Sequence, residues 1–410
     1  MTNSILKMKR YYLIVFFGVM GLVVPPMTQA FNIGSFSVGG AIRANYTFGD
    51  YTKPSDSSST RAEDDLGTIQ LDTFRVNLGY NHGPWIGKAE YRFYPGYSSN
   101  NADGYHFLHT GWIGYDFKDK SQVQVGVNRV PFGPGPYGVS QSFFFDMHYY
   151  VGLSDDMDLG IKYSKPLGGW TFDVAYYAMD EGSYAGNTED ATRYSYDVVD
   201  ESGDGYEERN QVNLRAIYAF PMGKVGASLQ AGQLKSNGPQ DDGSHFAASV
   251  HAVPKYGNFT LALQTTYFKY DVENEQPAGT DALVQMGAFD FLTLAPAEAW
   301  LPAVSLSYMV KTDNLDWLSY VLPYIEYSTI IKEASGFNDS SLVSAGAAWA
   351  NGGWYIYTDL CFSNGNDFIA NKAGYGDYPS SIPIWTSNRH GANPVDEWEY
   401  RFNINFGYYF

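Results

Sequence analysis

A chain of 410 residues with 44 acidic and 26 basic side chains carries a net charge of −18 at pH 7. A surface of that sign excludes nucleic acid as a partner, because phosphate binding requires the opposite charge, and the single Cys361 excludes an intramolecular disulfide. No cysteine–histidine cluster of the zinc type is present, so no cofactor is expected; the 35 Tyr, 26 Phe, 9 Trp and 43 Gly suit aromatic-rich strands joined by tight turns.

At the N-terminus, Lys7, Lys9 and Arg10 precede an uncharged apolar stretch over 11–24, and Thr28-Gln29-Ala30 places small side chains at the −3 and −1 positions of a cleavage site. This order predicts a signal peptide over 1–30 and export of the chain from 31 to 410. The apolar stretch is too short to span a bilayer comfortably, and no later run approaches the roughly 18 apolar residues of a membrane helix.

From residue 36 onward, segments alternate apolar and polar residues with a period of two, the mark of strands whose faces meet different surroundings. Strands are predicted over 36–48, 67–80, 84–95, 105–117, 121–130, 157–165, 169–179 and 207–220. They continue over 223–235, 244–254, 258–270, 301–311, 318–331, 341–350, 353–363 and 397–410. Connections alternate between short ones, such as Asn81-His82-Gly83, Pro221-Met222 and Asn351-Gly352, and long ones, up to 131–156, 180–206, 271–300 and 364–396. Short turns at one end and long loops at the other are how outer-membrane barrels are built, and sixteen strands return both termini to the short-turn, periplasmic end. The stretch 283–295 is also strand-like; it is assigned to a loop because it breaks this parity, and eighteen strands are the alternative count.

The last segment shows the pattern best. Trp398, Tyr400, Phe402, Ile404, Phe406, Tyr408 and Phe410 share one face, and Glu397, Glu399, Arg401, Asn403 and Asn405 the other. A polar, ionic interior under an apolar exterior suits a barrel in lipid. Lipid also forbids an open sheet edge, since each unpaired backbone group there costs several kcal/mol. The expected fold is therefore all-β, a closed transmembrane antiparallel barrel of about sixteen strands in the outer membrane of a Gram-negative bacterium, surrounded by lipid and lipopolysaccharide. Aromatics near strand ends, among them Tyr80, Trp85, Tyr115, Phe117, Trp170 and Trp354, are expected to form interfacial girdles.

Strand parity turns Arg43, Arg75, Lys88, Glu90, Arg92, Lys162, Arg215 and Arg401 toward the lumen. Arg43, Arg75 and Arg92 come from three successive strands and are expected to form one basic wall; Asp146, Asp155 and Asp156 of the loop 131–156 are the expected acidic counterpart of a constriction. Pro131, Pro134 and Pro136 stiffen the start of that loop, and Phe143, Phe144, Phe145, Tyr149 and Tyr150 are too apolar for a solvated one. An inward-folded plug is the expectation. The stretch Asp200-Glu201-Ser202-Gly203-Asp204-Gly205 matches the first half of a calcium loop, but its twelfth position is Gln211 in place of the bidentate Glu, so a solvated acidic loop is expected.

The terminal Phe410, with Tyr408 before it, resembles the carboxy-terminal strand of Gram-negative outer-membrane proteins, which implies recognition by the barrel-assembly machinery. Gln122-Val123-Gln124-Val125-Gly126-Val127-Asn128-Arg129-Val130-Pro131-Phe132-Gly133 resembles the corresponding strand and loop start of the phosphate-selective and dicarboxylate-type porins. That resemblance implies a homotrimer with a loop folded into the lumen, although the dense arginine ladder of a strongly phosphate-selective channel is not in the sequence. The expected function is a porin: a water-filled channel for passive diffusion of small hydrophilic solutes or ions. A structural or adhesive barrel acting through its acidic loops is the alternative. No Ser/His/Asp grouping emerges from the spacing, and no enzyme is expected.

Overall fold

A computed structural model describes residues 31–50, 66–96, 104–334, 337–366, 368–369 and 398–410. The signal peptide expected over 1–30 lies outside the described residues.

Sixteen strands make the wall. They are β1 (Phe36–Gly49), β2 (Thr68–His82), β3 (Trp85–Tyr94), β4 (Tyr105–Asp116), β5 (Gln122–Arg129) and β6 (Met157–Leu167). Next come β7 (Trp170–Asp180), β8 (Tyr206–Phe220), β9 (Gly223–Ser236), β10 (Gly243–Tyr256) and β11 (Phe259–Asp271). The circuit ends with β12 (Glu298–Tyr308), β13 (Tyr320–Lys332), β14 (Ser340–Asn351), β15 (Trp354–Ser363) and β16 (Glu399–Tyr409). Each pairs antiparallel with the next, and β16 returns to β1 in a continuous register from Ala41 opposite Tyr409 to Gly49 opposite Arg401. That seam leaves the sheet without an edge. Phe31–Ile33 folds back on β1, and Val310–Lys311 prolongs β12.

The predicted strands thus recur in order. The hairpin turns depend on residues that accept a left-handed backbone: Gly83 and Gly352 sit at φ 61° and 54°, the conformation that two-residue turns between twisted strands require. The strand-like stretch near 283–295 forms a hairpin, Leu283–Ala288 with Phe291–Pro296, which pairs with Asp197–Val198 in a separate three-stranded sheet. Residues 283–288 and 293–296 are buried, and the wall keeps its count of sixteen.

The two faces of the wall are inverted relative to a water-soluble protein. Ile42, Leu78, Val125, Val250, Ile325 and Phe406 are exposed on the outside, whereas Asn45, Ser249, Thr266, Ser305, Ser328, Asn403 and Asn405 are buried inside. Aromatic rings meet across strands near the short-turn end: Phe36 with Tyr80, Trp85 with Tyr115 and Trp170 with Tyr218, each pair with centroids 5.0 Å apart. These amphipathic rings belong at the lipid–water boundary. The interior is packed by loop residues, with Phe144, Met147, Tyr149, Tyr150, Val151 and Leu153 among the most buried side chains.

Ile325→Arg tests the polarity of the wall. Ile325 is 56% exposed in mid-strand, and an arginine on the lipid face costs about 2–4 kcal/mol near the midplane. Urea unfolding from lipid bilayers is expected to show a loss of that size; an unchanged midpoint would place the residue elsewhere.

Candidate functional site

One wall of the lumen is cationic. Arg43 on β1, Arg75 on β2, Lys88 and Arg92 on β3, Arg129 at the end of β5 and Arg401 on β16 all border one cavity of about 730 Å³. Like charges at this density need a shared counter-ion. Register sets Arg75 directly opposite Arg92, and Glu90 supplies the compensation. Its Oε1 accepts from Arg92 Nε at 2.7 Å and lies 3.5 Å from Arg75, and its Oε2 lies 3.7 Å from Lys88. Arg43 pairs with Asp72 at 2.8 Å and Arg129 with Asp155 at 2.7 Å. Six cationic side chains and three carboxylates, Asp72, Glu90 and Asp155, therefore line the cavity. The local excess is positive in a chain whose total charge is strongly negative.

The facing surface is the loop 131–156, which leaves β5, crosses the lumen and returns to β6. On its far side it is tied to the opposite wall. Ser140 Oγ donates to Glu326 Oε2 at 2.6 Å, Gln141 N–H donates to Glu326 Oε1, and Met147 N–H donates to Ser328 Oγ at 3.0 Å. Gly133 N–H donates to Ser228 Oγ at 3.1 Å, and Tyr270 OH donates to the Val151 carbonyl at 3.1 Å. On its near side, loop rings stack under wall guanidiniums: Phe143 under Arg43 at 4.9 Å, Phe144 under Arg401 at 4.7 Å and Tyr137 under Arg129 at 5.7 Å. Arg92 stacks likewise on Tyr194, 4.4 Å from the ring centre, in the loop after β7. Such contacts are worth about 2 kcal/mol or more once desolvated. They also explain why this loop carries so many aromatics. Burial pushes the Tyr149 and Tyr194 phenols well above their usual range, so both remain neutral hydrogen-bond donors; they reach the carbonyl of Tyr194 and the carboxylate of Asp155.

The residues expected at the site separate into two groups. Arg43, Arg75, Lys88, Glu90, Arg92, Asp155 and Arg401 border the cavity together. Asp146, Asp156, Lys162 and Arg215 do not. Asp146 turns back into its own loop, where its carboxylate accepts from the Val139 and His148 backbone N–H groups at 3.0 and 2.9 Å. Arg215 Nε donates to Asp173 at 2.8 Å, and Lys162 Nζ donates to the Arg129 carbonyl at 2.6 Å. Asp156 lies in a separate acidic cluster. The face opposite the basic wall is thus aromatic, made by Phe143, Phe144, Phe145 and Tyr149, in place of the expected row of acids. Tyr408 is exposed on the outer face and Phe410 packs beside it, with ring centroids 6.4 Å apart.

Arg129 was legible only as part of a resemblance, not as a wall residue. Val123 and Val125 set an outward parity that also claims positions 127 and 129. Val127 is nevertheless buried, and Arg129, at the end of β5, borders the cavity. The spacing also hid an acid–imidazole–hydroxyl series: Asp146 Oδ1 lies 2.7 Å from His148 Nδ1, and His148 Nε2 lies 2.8 Å from Thr266 Oγ1. All three residues are buried and none borders the cavity, so the series anchors the loop to β11. The calcium-like stretch is closed by its own backbone: Asp200 Oδ1 accepts from Gly203, Asp204 and Gly205, and Oδ2 from Asn237.

Comparison with solved structures bears on this geometry. The chain is similar to Salmonella typhi OmpF, solved with daunomycin, at a TM-score of 0.58 and 14% identity, covering 92% of this chain and 97% of that one. The outer-membrane channel DcaP of Acinetobacter baumannii matches at 0.55 and 10% identity, covering 92% and 97%. The anion-selective porin from Comamonas acidovorans matches at 0.53 and 12%, covering 92% and 99%. The fold is that of the outer-membrane porins. A closed barrel with an apolar belt and neighbours of this kind belongs in the outer membrane of a Gram-negative bacterium. No protein-family model and no curated protein matches the sequence.

Glu326→Ala tests how the porin-type barrel holds its loop. Glu326 accepts from Ser140, Gln141 and Ser305, and stranding buried donors costs about 1–3 kcal/mol. The variant is expected to unfold at lower urea; a wild-type midpoint would mean that the loop is held without Glu326.

Proposed function

We propose that the chain is a passive channel for small hydrophilic solutes, that the loop 131–156 forms its constriction, and that the channel favours anions. The observation that carries the preference is the twofold excess of cations over carboxylates around the cavity. Low-dielectric walls focus such a field on whatever passes, so anions concentrate there and cations are repelled. Arg43, Arg75, Arg92, Arg129 and Arg401 present planar forks that suit carboxylate or phosphate oxygens, and Lys88 adds a half-exposed point charge. The loop face opposite is mainly aromatic, its carboxylate at the cavity, Asp155, is paired with Arg129, and the basic wall is left to set the selectivity.

Zero-current potentials across a planar bilayer in a potassium chloride gradient test this reading. The wild type is expected to prefer chloride. A unit charge about 10 Å from the ion path is worth about 0.4 kcal/mol in water, about a factor of two in permeability. Arg43→Ala with Arg75→Ala is therefore expected to lower the chloride-to-potassium ratio at least about fourfold. Cation preference in the wild type would overturn the anion reading, and a barrel that carries no current would favour an adhesive or structural role.

A further inference from the structure

Away from the basic cavity, Asp156, Asp158 and Asp197 converge. Each offers one carboxylate oxygen, the three oxygens lie within 4.8 Å of one another, and all three residues are buried. They come from three separate segments: the end of the loop 131–156, the start of β6 and the short strand Asp197–Val198 in the loop after β7. Asp180, Glu181 and Glu208 are buried beside them. Among the described residues, the guanidinium that pairs with carboxylates of this group is that of Arg193, which bridges Asp180 at 3.1 Å and Asp197 at 2.9 Å and also holds Asp190. No lysine or arginine among the described residues pairs with Asp156 or Asp158.

Several of the oxygens are also left without partners. Asp156 Oδ1, Asp158 Oδ1 and Glu181 Oε2 are buried and accept no hydrogen bond. The same is true of Gln211 Oε1, on a carboxamide that lies against the cluster because its Nε2 donates to Asp158 Oδ2 at 2.9 Å. Buried polar atoms are mostly partnered in native interiors, and unsatisfied oxygens gathered around one acidic cluster call for a shared partner. Several ionised carboxylates cannot share a buried site without positive charge among them.

We propose that Asp156, Asp158 and Asp197 bind a divalent cation, and that it is calcium. The donors are all oxygens, which selects a hard ion over zinc or copper. Calcium takes 6–8 oxygens in flexible geometry, while magnesium demands a near-ideal octahedron and keeps its waters. Gln211 Oε1 and the carboxylates of Glu181 and Glu208 are the nearby oxygens available to complete the shell. Bound there, the ion would pin the exit of the lumen-crossing loop to both the wall and the loop after β7.

The test uses the full chain folded in detergent, stripped with EDTA and desalted. Titration calorimetry with calcium chloride is expected to show one site per chain, with magnesium binding more weakly. Asp156→Asn combined with Asp158→Asn is expected to weaken that site at least about tenfold. Asp200→Asn, in the exposed acidic loop, is expected to leave it intact. Because the double variant removes repelling charges, its EDTA form should melt no lower than the EDTA form of the wild type, and calcium should no longer raise its Tm. Wild-type protein that binds no calcium, or whose Tm is the same in calcium and in EDTA, would overturn the proposal. Undiminished calcium binding by a folded double variant would do the same.

Discussion

In hydrocarbon, no backbone N–H or carbonyl can be left to water, and the rest of the structure depends on that constraint. The seam between β1 and β16, paired from Ala41–Tyr409 to Gly49–Arg401, satisfies it by removing the last sheet edge. Once the sheet is closed, every strand has one lipid face and one lumen face, and period-two alternation becomes a radial assignment of each side chain. Exposed Ile325 and Val250 on one side and buried Ser305 and Ser249 on the other are two readings of the same register.

A sixteen-stranded cylinder is too wide for its own side chains to fill, so the lumen is organised by what crosses it. The loop 131–156 is held from two sides by different chemistry: hydroxyls and carboxylates of β9, β11, β13 and β15 bind its backbone and side chains, while arginines of β1, β5 and β16 cover its rings. The arginines thereby do two things at once. They fix the loop by stacking, and they give the adjoining cavity a positive field inside a protein of acidic total charge. Glu90 makes that arrangement tolerable, since Arg75 and Arg92 sit opposite each other in register and would otherwise only repel.

Much of this was legible in the sequence, for a physical reason: a strand with one face in lipid and one in water writes its orientation into alternate residues. Arg401, Asn403 and Asn405 could be assigned inward beside Phe402 and Phe406 from the last segment alone, and Arg43, Arg75 and Arg92 could be grouped because successive strands are neighbours. What was not legible depends on contacts between segments distant in the chain. Nothing local shows that Asp146 folds back on its own loop, that Arg129 borders the cavity, or that residues 283–296 pair with Asp197–Val198 inside the barrel. The meeting of Asp156, Asp158 and Asp197 has the same origin, since its members are set by loop packing and not by strand period.

The central claim is radial: the arginine-bearing face meets water and the aliphatic face meets lipid. Spin labels on single cysteines introduced in a Cys361→Ser background measure this directly in bilayers. Labels at Lys88 and Arg75 are predicted to be relaxed by a water-soluble nickel chelate, and labels at Val125 and Phe406 by oxygen dissolved in the lipid. The reverse pattern, with oxygen-accessible labels at Lys88 and Arg75, would contradict the account.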